Sequence, residues 1–310
     1  METEEKATRD AYGEVLLEIG KDERIVVLDA DLSESTRSAF FRKKYPERFF
    51  NMGISEQDMI GTAAGFALSE KIPFASTFAL FATTKVLDQI RNSIAYSKLN
   101  VKIIGSHSGL LIGEDGVSHQ AIEDIALIRV IPNMIIISPA DYVEAKKAVY
   151  AIYEYNGPVY LRLGREKTPI IYDENYDFRI GKGSLLREGN NITIIATGPL
   201  VSEALKAHEL LKNENVNARI INISTIKPID SEIIIKAAKE TKAIITCEDH
   251  NVIGGLGSAV AEVLSENYPT KMKRIGVNDT FAESGSPIDL YKKYGLTAEH
   301  IVKTAKELLK

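Results

Sequence analysis

At 310 residues the chain is long enough for two domains with well-formed cores, and its composition, 45% hydrophobic and 26% charged, is that of a globular protein. Thirty-eight basic against 43 acidic side chains leave a net charge of −5. That balance argues against nucleic acid and membrane as partners, while leaving room for a small anionic substrate held by a few placed arginines.

A single cysteine, Cys247, excludes an intrachain disulfide and fits a reducing compartment. There is no apolar leader and no run of 18 apolar residues, so a cytoplasmic, unanchored protein is expected. From the N-terminus, a helix is expected near 3–19, then the buried strand "IVVLDA" (25–30). A helix near 55–69 follows, with Ser55 and Asp58 in capping-box spacing. "PFAST" (73–77), "VKIIGS" (101–106), "NMIIIS" (133–138) and "PVYLRL" (158–163) read as further buried strands. Helices are expected between them near 83–97, 121–130 and 141–155.

"REKTPIIYDENYDFRIGKGS" (165–184) has scattered charges, Pro169 and two glycines but no period, which reads as a connection. The alternation then restarts with "ITIIAT" (192–197), "ARIINI" (218–223), "AIITCE" (243–248) and "KRIGV" (273–277), interleaved with helices. The expected architecture is therefore α/β, with two domains, each a mostly parallel twisted sheet carrying helices on both faces. The boundaries fall at 1–168 and 188–310, with 169–187 as linker.

Ligands of open parallel sheets bind beyond the carboxyl ends of the strands. Asp29, Asp31, Ser33 and Ser35 follow the first strand, Phe78 and Phe81 the second, and His107 the third. "GEDGVSHQ" (113–120) comes next, and Arg165 follows "PVYLRL". The second domain offers only "EDHNVIGGLG" (248–257) at the equivalent place, so the chemistry is expected in the first.

Each of these residues also has an ordinary structural reading. Glu56 at a helix start complements the dipole, Phe78 and Phe81 can be core, and His107 can be a satisfied structural histidine. Glu114, Asp115, His119 and Glu123 could be metal ligands, but no second histidine or cysteine supports them and no metal site is expected in this chain. "GGLGSAV" lacks the third glycine of a dinucleotide fingerprint and reads as a helix-opening turn.

Taken together, "DADLSEST" (29–36), "NMGISEQDMIGTAAGFA" (51–67), "STFALFATT" (76–84), "SHSGLLIGEDGVSHQ" (106–120), "LRLGREKTP" (161–169) and "EDHNVIGGLGSAVAEVL" (248–264) resemble the C-terminal half of the transketolase family. The resemblance implies a thiamine-diphosphate enzyme that moves a two-carbon ketol unit between ketose and aldose phosphates, as in the pentose phosphate pathway. It implies that Glu56 bonds the cofactor's aminopyrimidine and favours the tautomer that takes the thiazolium proton. Phe78 and Phe81 match the wall stacking on that ring, and Asp31 an acidic residue near the thiazolium side. His107 and His119 match histidines that contact the donor sugar, and Asp115 the carboxylate that reads a hydroxyl's stereochemistry. Arg9, Ser35 and Arg165 match the cluster that holds the sugar phosphate.

Val117 and Ser118 stand where the family has proline and threonine, and Thr84 where a tyrosine often completes the aromatic wall. The family's G-D-G and paired asparagines, which hold the diphosphate through a divalent metal, do not appear in corresponding positions. An N-terminal transketolase subunit carrying them, with its Mg or Ca ion, is the expected partner, in an assembly of two copies of each chain. The relatives with the same half-chain, deoxyxylulose-phosphate synthase and the 2-oxoacid dehydrogenase β subunit, and a non-catalytic binding module are the alternatives. "SHSGL" together with the full "GEDG-x-SHQ" favours transketolase.

Overall fold

The structure, a computed structural model, describes residues 4–310. The first part of the chain forms β1 (Glu5–Ala7), β2 (Ile25–Asp29), β3 (Phe49–Asn51), β4 (Ile72–Phe78), β5 (Lys102–Ser106), β6 (Ile135–Ile137), β7 (Val159–Arg162) and β8 (Lys167–Pro169). The second part forms β9 (Ser184–Arg187), β10 (Ile192–Ala196), β11 (Ala218–Asn222), β12 (Thr225–Lys227), β13 (Ile244–Asn251) and β14 (Met272–Val277). One sheet runs β12-β6-β7-β5-β4-β2-β3 and the other β14-β13-β10-β11-β9. Pairing is parallel throughout both except at the edges, where β12 and β9 run antiparallel to their neighbours.

Each sheet is covered on both faces, which is why β2, β4, β5, β7, β10 and β11 are buried at every position. On the first sheet, helices Thr8–Ile19 and Tyr142–Glu154 close one core around Tyr12, Leu16, Phe74 and Ile152. Helices Glu56–Leu68 and Asp124–Arg129 close the other around Met59, Ile60, Ile103 and Ile128. The second sheet is flanked by Leu200–Asn213 and Ala298–Leu309 on one side and by Ser231–Glu240 and Leu256–Asn267 on the other.

Several local expectations are corrected. The first helix starts at Thr8, because Glu5–Ala7 instead pairs with Lys167–Pro169. The helix expected over 121–130 is confined to Asp124–Arg129, and that expected over 83–97 is a short α-turn, Leu87–Gln89, continued by a π-helical turn, Ile90–Ala95. Ser55 stands at the N-cap but its side chain makes no capping bond.

The connecting segment is also more structured than its composition suggests. Asp141 Oδ2 accepts from the backbone N–H groups of Ile171 and Tyr172 at 2.6 and 2.9 Å, and the rings of Tyr172 and Tyr176 stack 3.8 Å apart. Ser184–Arg187, within the expected linker, pairs with β11. β12, within the expected second domain, extends the first sheet by pairing with β6.

Charged groups are buried where the two parts meet. Arg162 donates through Nε to Asp124 Oδ2 at 2.7 Å, and through Nη2 to the carbonyls of Ala121 and Asp249 at 3.0 and 2.9 Å. Tyr160 donates to the same Asp124 oxygen at 2.7 Å. Asp249 Oδ1 accepts from Leu110 N–H at 2.9 Å and its Oδ2 from Tyr291 OH at 3.1 Å. Gly109, at φ +70°, lies so close to the Asp249 carboxylate that any Cβ there would overlap it. The loops at the carboxyl ends of the first sheet are thereby fixed by the second part of the chain.

Candidate functional site

The side chains beyond β2, β4 and β5 converge. Phe78 ends β4, and Phe81 lies in the turn after it, their rings 6.0 Å apart and inclined by 17°. The His107 ring stacks on Phe78 with centroids 4.0 Å apart, and His119 meets Phe81 edge-on at 5.3 Å. His107, Phe78 and Phe81, which the sequence leaves open between core and site, thus form one aromatic cluster with His119.

His107 is buried and adopts φ +58°, in the left-handed region that is uncommon for residues other than glycine. Arg9 Nη1 lies 3.0 Å from its Nε2. A guanidinium has only donors, so Nε2 accepts and the ring proton sits on Nδ1, against Ser106 Oγ. Burial, then the charges of Arg9, Arg165 and Arg37, push the pKa of His107 down to about 3. It is a neutral imidazole at ordinary pH, oriented from both sides.

Glu56 opens the helix Glu56–Leu68 and is 4% exposed. Both of its carboxylate oxygens accept from Lys85 Nζ, each at 3.2 Å. The same ammonium lies 4.4 Å from the centroid of the Phe81 ring. Sequence reasoning passes over Lys85. The available signal is its position four residues after Phe81, which places the two side chains on one face of a helical turn.

Arg9 also donates to the carbonyl oxygen of Ser35 at 3.0 Å, so Ser35 meets it through backbone. Arg9 Nε is buried without a partner among the described residues, leaving the guanidinium with donor capacity to spare. Arg165 pairs loosely with Asp115 at 3.7 Å and donates to Ile112 O at 3.4 Å. Arg9 and Arg165 share a cleft of about 600 Å³ with Lys167 and Lys206. Ser118 Oγ lies 2.9 Å from His119 Nδ1. Asp31, exposed at φ +63°, accepts from Asn51 Nδ2 at 2.9 Å and shares no hydrogen bond with the other candidate site residues among the described residues.

Asp29 is a structural group. Fully buried, it accepts from Leu32 N–H, Thr36 Oγ1 and Ser38 Oγ at 2.6–2.8 Å, and burial raises its pKa to about 6. In the second part, Glu248 accepts from Leu256 and Gly257 N–H at 2.7 and 2.8 Å. The glycine-rich turn therefore opens a helix whose first two N–H groups are already taken by a carboxylate. Among the described residues no three His, Cys, Asp or Glu side chains group as metal ligands. No described helix is long and apolar enough to cross a membrane.

A buried carboxylate joined through one ammonium to a pair of aromatic rings suits a flat nitrogen heterocycle: one edge takes a hydrogen bond while the ring is stacked. This donor set fits an aminopyrimidine.

Comparison with known proteins gives the same class. The family model for the transketolase pyrimidine binding domain matches residues 4–170, and that for the transketolase C-terminal domain matches residues 181–301. The chain belongs to the transketolase family, of which it spans these two domains. A Methanocaldococcus jannaschii protein assigned as a transketolase C-terminal section is 53% identical, over 98% of this chain and 97% of its own. A 6-deoxy-6-sulfo-D-fructose transketolase subunit from a Clostridium species is 44% identical, over 98% and 95%. A solved split gene transketolase, an inactive beta4 tetramer, superposes with a TM-score of 0.92 at 50% identity, covering 98% of each chain.

Proposed function

We propose that this chain is the C-terminal subunit of a split transketolase. It transfers a two-carbon ketol unit between ketose and aldose phosphates with thiamine diphosphate as cofactor. The observation that carries the reading is the clustering of Phe78, Phe81, His107 and His119 at one sheet edge, with the buried Glu56 carboxylate joined to Phe81 through Lys85. When bound, the cofactor would supply a carbon nucleophile for the donor's carbonyl.

This chain's own residues bind, orient and move protons. Glu56 anchors the aminopyrimidine by its ring nitrogen, and Phe78 and Phe81 stack against it. His107, neutral with Nε2 accepting, takes a proton or a hydrogen bond from a sugar hydroxyl when that hydroxyl displaces Arg9. His119 serves the carbonyl side, Asp115 reads a hydroxyl, and Asp31 would stand on the thiazolium side of the bound cofactor. Arg9 and Arg165 hold the phosphate at the cleft they share, with Ser35 beside Arg9.

The diphosphate and its divalent metal, Mg or Ca, fall to an N-terminal subunit, two copies of each chain making the active assembly. We place the domain carrying the pyrimidine site over residues 1–168; the C-terminal domain, expected over 188–310, reaches back to take in β9 at Ser184–Arg187, which shortens the connection expected over 169–187. The reading is tested by mixing the chain with its partner and following ketol transfer. Glu56→Gln should cut turnover at least a hundredfold while the assembly stays intact; an unimpaired variant overturns the assignment.

A further inference from the structure

We propose that Lys85 is an exchangeable partner of Glu56: the ammonium holds the carboxylate until the pyrimidine ring takes its place. This rests on the functional reading above and adds a positioning residue to it. Three contacts converge on Lys85. Its Nζ is equidistant from both Glu56 oxygens at 3.2 Å, and it stands 4.4 Å from the Phe81 centroid. A ring that bonds Glu56 and stacks on Phe81 needs the same carboxylate and the same aromatic face. Ammonium and ring therefore compete for one place.

The energetics of the two ends differ. Glu56 is 4% exposed, and among the described residues Lys85 is the one side chain that hydrogen-bonds its carboxylate. A buried carboxylate left alone is costly, so something must stand beside it before the cofactor does. The Lys85 side chain is 45% exposed, so its flexible stem can swing its ammonium into water cheaply. Only the side chain needs to move, because Gln57 Nε2 donates to the Lys85 carbonyl at 3.0 Å and ties the backbone to the helix that carries Glu56. Lys85 thus keeps the carboxylate in position and gives way.

Two measurements test this. In the isolated chain without cofactor, Lys85→Met should lower the unfolding midpoint, and adding Glu56→Gln should recover most of the loss. Strict additivity of the two substitutions would show that the pair does not form, and overturns the proposal. In the assembly with the N-terminal subunit, calorimetric titration with thiamine diphosphate should give a Kd about threefold lower for Lys85→Met, the scale of a half-exposed ion pair. Lys85→Arg should raise the Kd, since a guanidinium grips both oxygens in a fixed fork and exchanges less readily. Weaker binding by Lys85→Met would make Lys85 a cofactor ligand, and unchanged binding by both variants would make it a bystander; either overturns the exchange while leaving the functional reading intact. If the wild-type assembly binds no thiamine diphosphate, the functional reading fails and the exchange fails with it.

Discussion

His107 stands between a guanidinium that can only donate and a serine hydroxyl that can do either, so its proton has one place to be. With a folded pKa of about 3 against an ordinary 6.5, the unfolded chain takes up a proton first as the pH falls. The native state therefore loses stability from this group as pH drops through 6.5 toward 3. Ring-carbon and nitrogen shifts in NMR should show the neutral Nδ1–H tautomer persisting to about pH 4. Arg9→Met removes the largest charge acting on the ring but not the burial, so the His107 pKa should rise while staying below 6.5. A value that does not move would show that the Arg9 charge plays no part in setting it. Arg165, by contrast, should be read in kinetics. Its guanidinium is part exposed and only loosely paired, at 3.7 Å, so it is free to take a phosphate. Arg165→Ala should raise KM about tenfold or more for phosphorylated sugars and little for free ones, with kcat nearly unchanged. Equal effects on both substrates would remove Arg165 from the phosphate site.

Between residues and fold, the elements divide by what made them legible. Strands β2, β4, β5, β7, β10 and β11 are covered on both faces, so they write themselves as apolar runs that no partner is needed to recognise. The pairing of Glu5–Ala7 with Lys167–Pro169, and of Thr225–Lys227 with Ile136 and Ile137, joins segments far apart in the chain. Three-residue edge strands carry no period, so nothing local announced them. The site splits the same way. Its aromatic and titratable members follow strands and were readable by position, whereas Lys85 is defined by a contact 29 residues away, and Ser35 contributes a carbonyl that every residue has. Glu248 is a further case, a carboxylate eight and nine residues from the helix donors it caps. Glu248→Ala leaves the N–H groups of Leu256 and Gly257 buried without an acceptor and should cost about 1–3 kcal/mol. Urea unfolding followed by far-ultraviolet dichroism would measure it. A loss below a few tenths of a kcal/mol would mean that water replaces the cap.

At the scale of the whole molecule, the two sheets are joined by buried ionisable groups, and pH should register there. Glu144, on the helix Tyr142–Glu154, accepts from Ala140 N–H at 2.7 Å, from Asn222 Nδ2 at 2.9 Å and from Tyr176 OH at 3.0 Å. It thereby ties the first sheet's helix to β11 and to the connecting segment. Burial, helped by the nearby charge of Asp141, raises its pKa from 4.5 to about 7, against the hydrogen bonds that favour the ion. Between those values the native state holds a proton that the unfolded chain has released. Glu144 therefore contributes stability in full below about pH 4.5 and loses it as the pH rises through 7. Other groups also titrate: Asp29 and Glu248 act in the same direction, His107 and His250 in the opposite one, so the total curve does not isolate Glu144. The difference between wild type and Glu144→Gln does, because glutamine keeps the shape and cannot ionise. That difference should shift in favour of the variant by up to ~3 kcal/mol between pH 4.5 and 8, at about 1.4 kcal/mol per pKa unit. Unfolding midpoints at half-unit pH steps would trace it. A difference that stays flat across the range would place no proton on Glu144 in the native state, and the junction between the sheets would then hold a buried carboxylate ion.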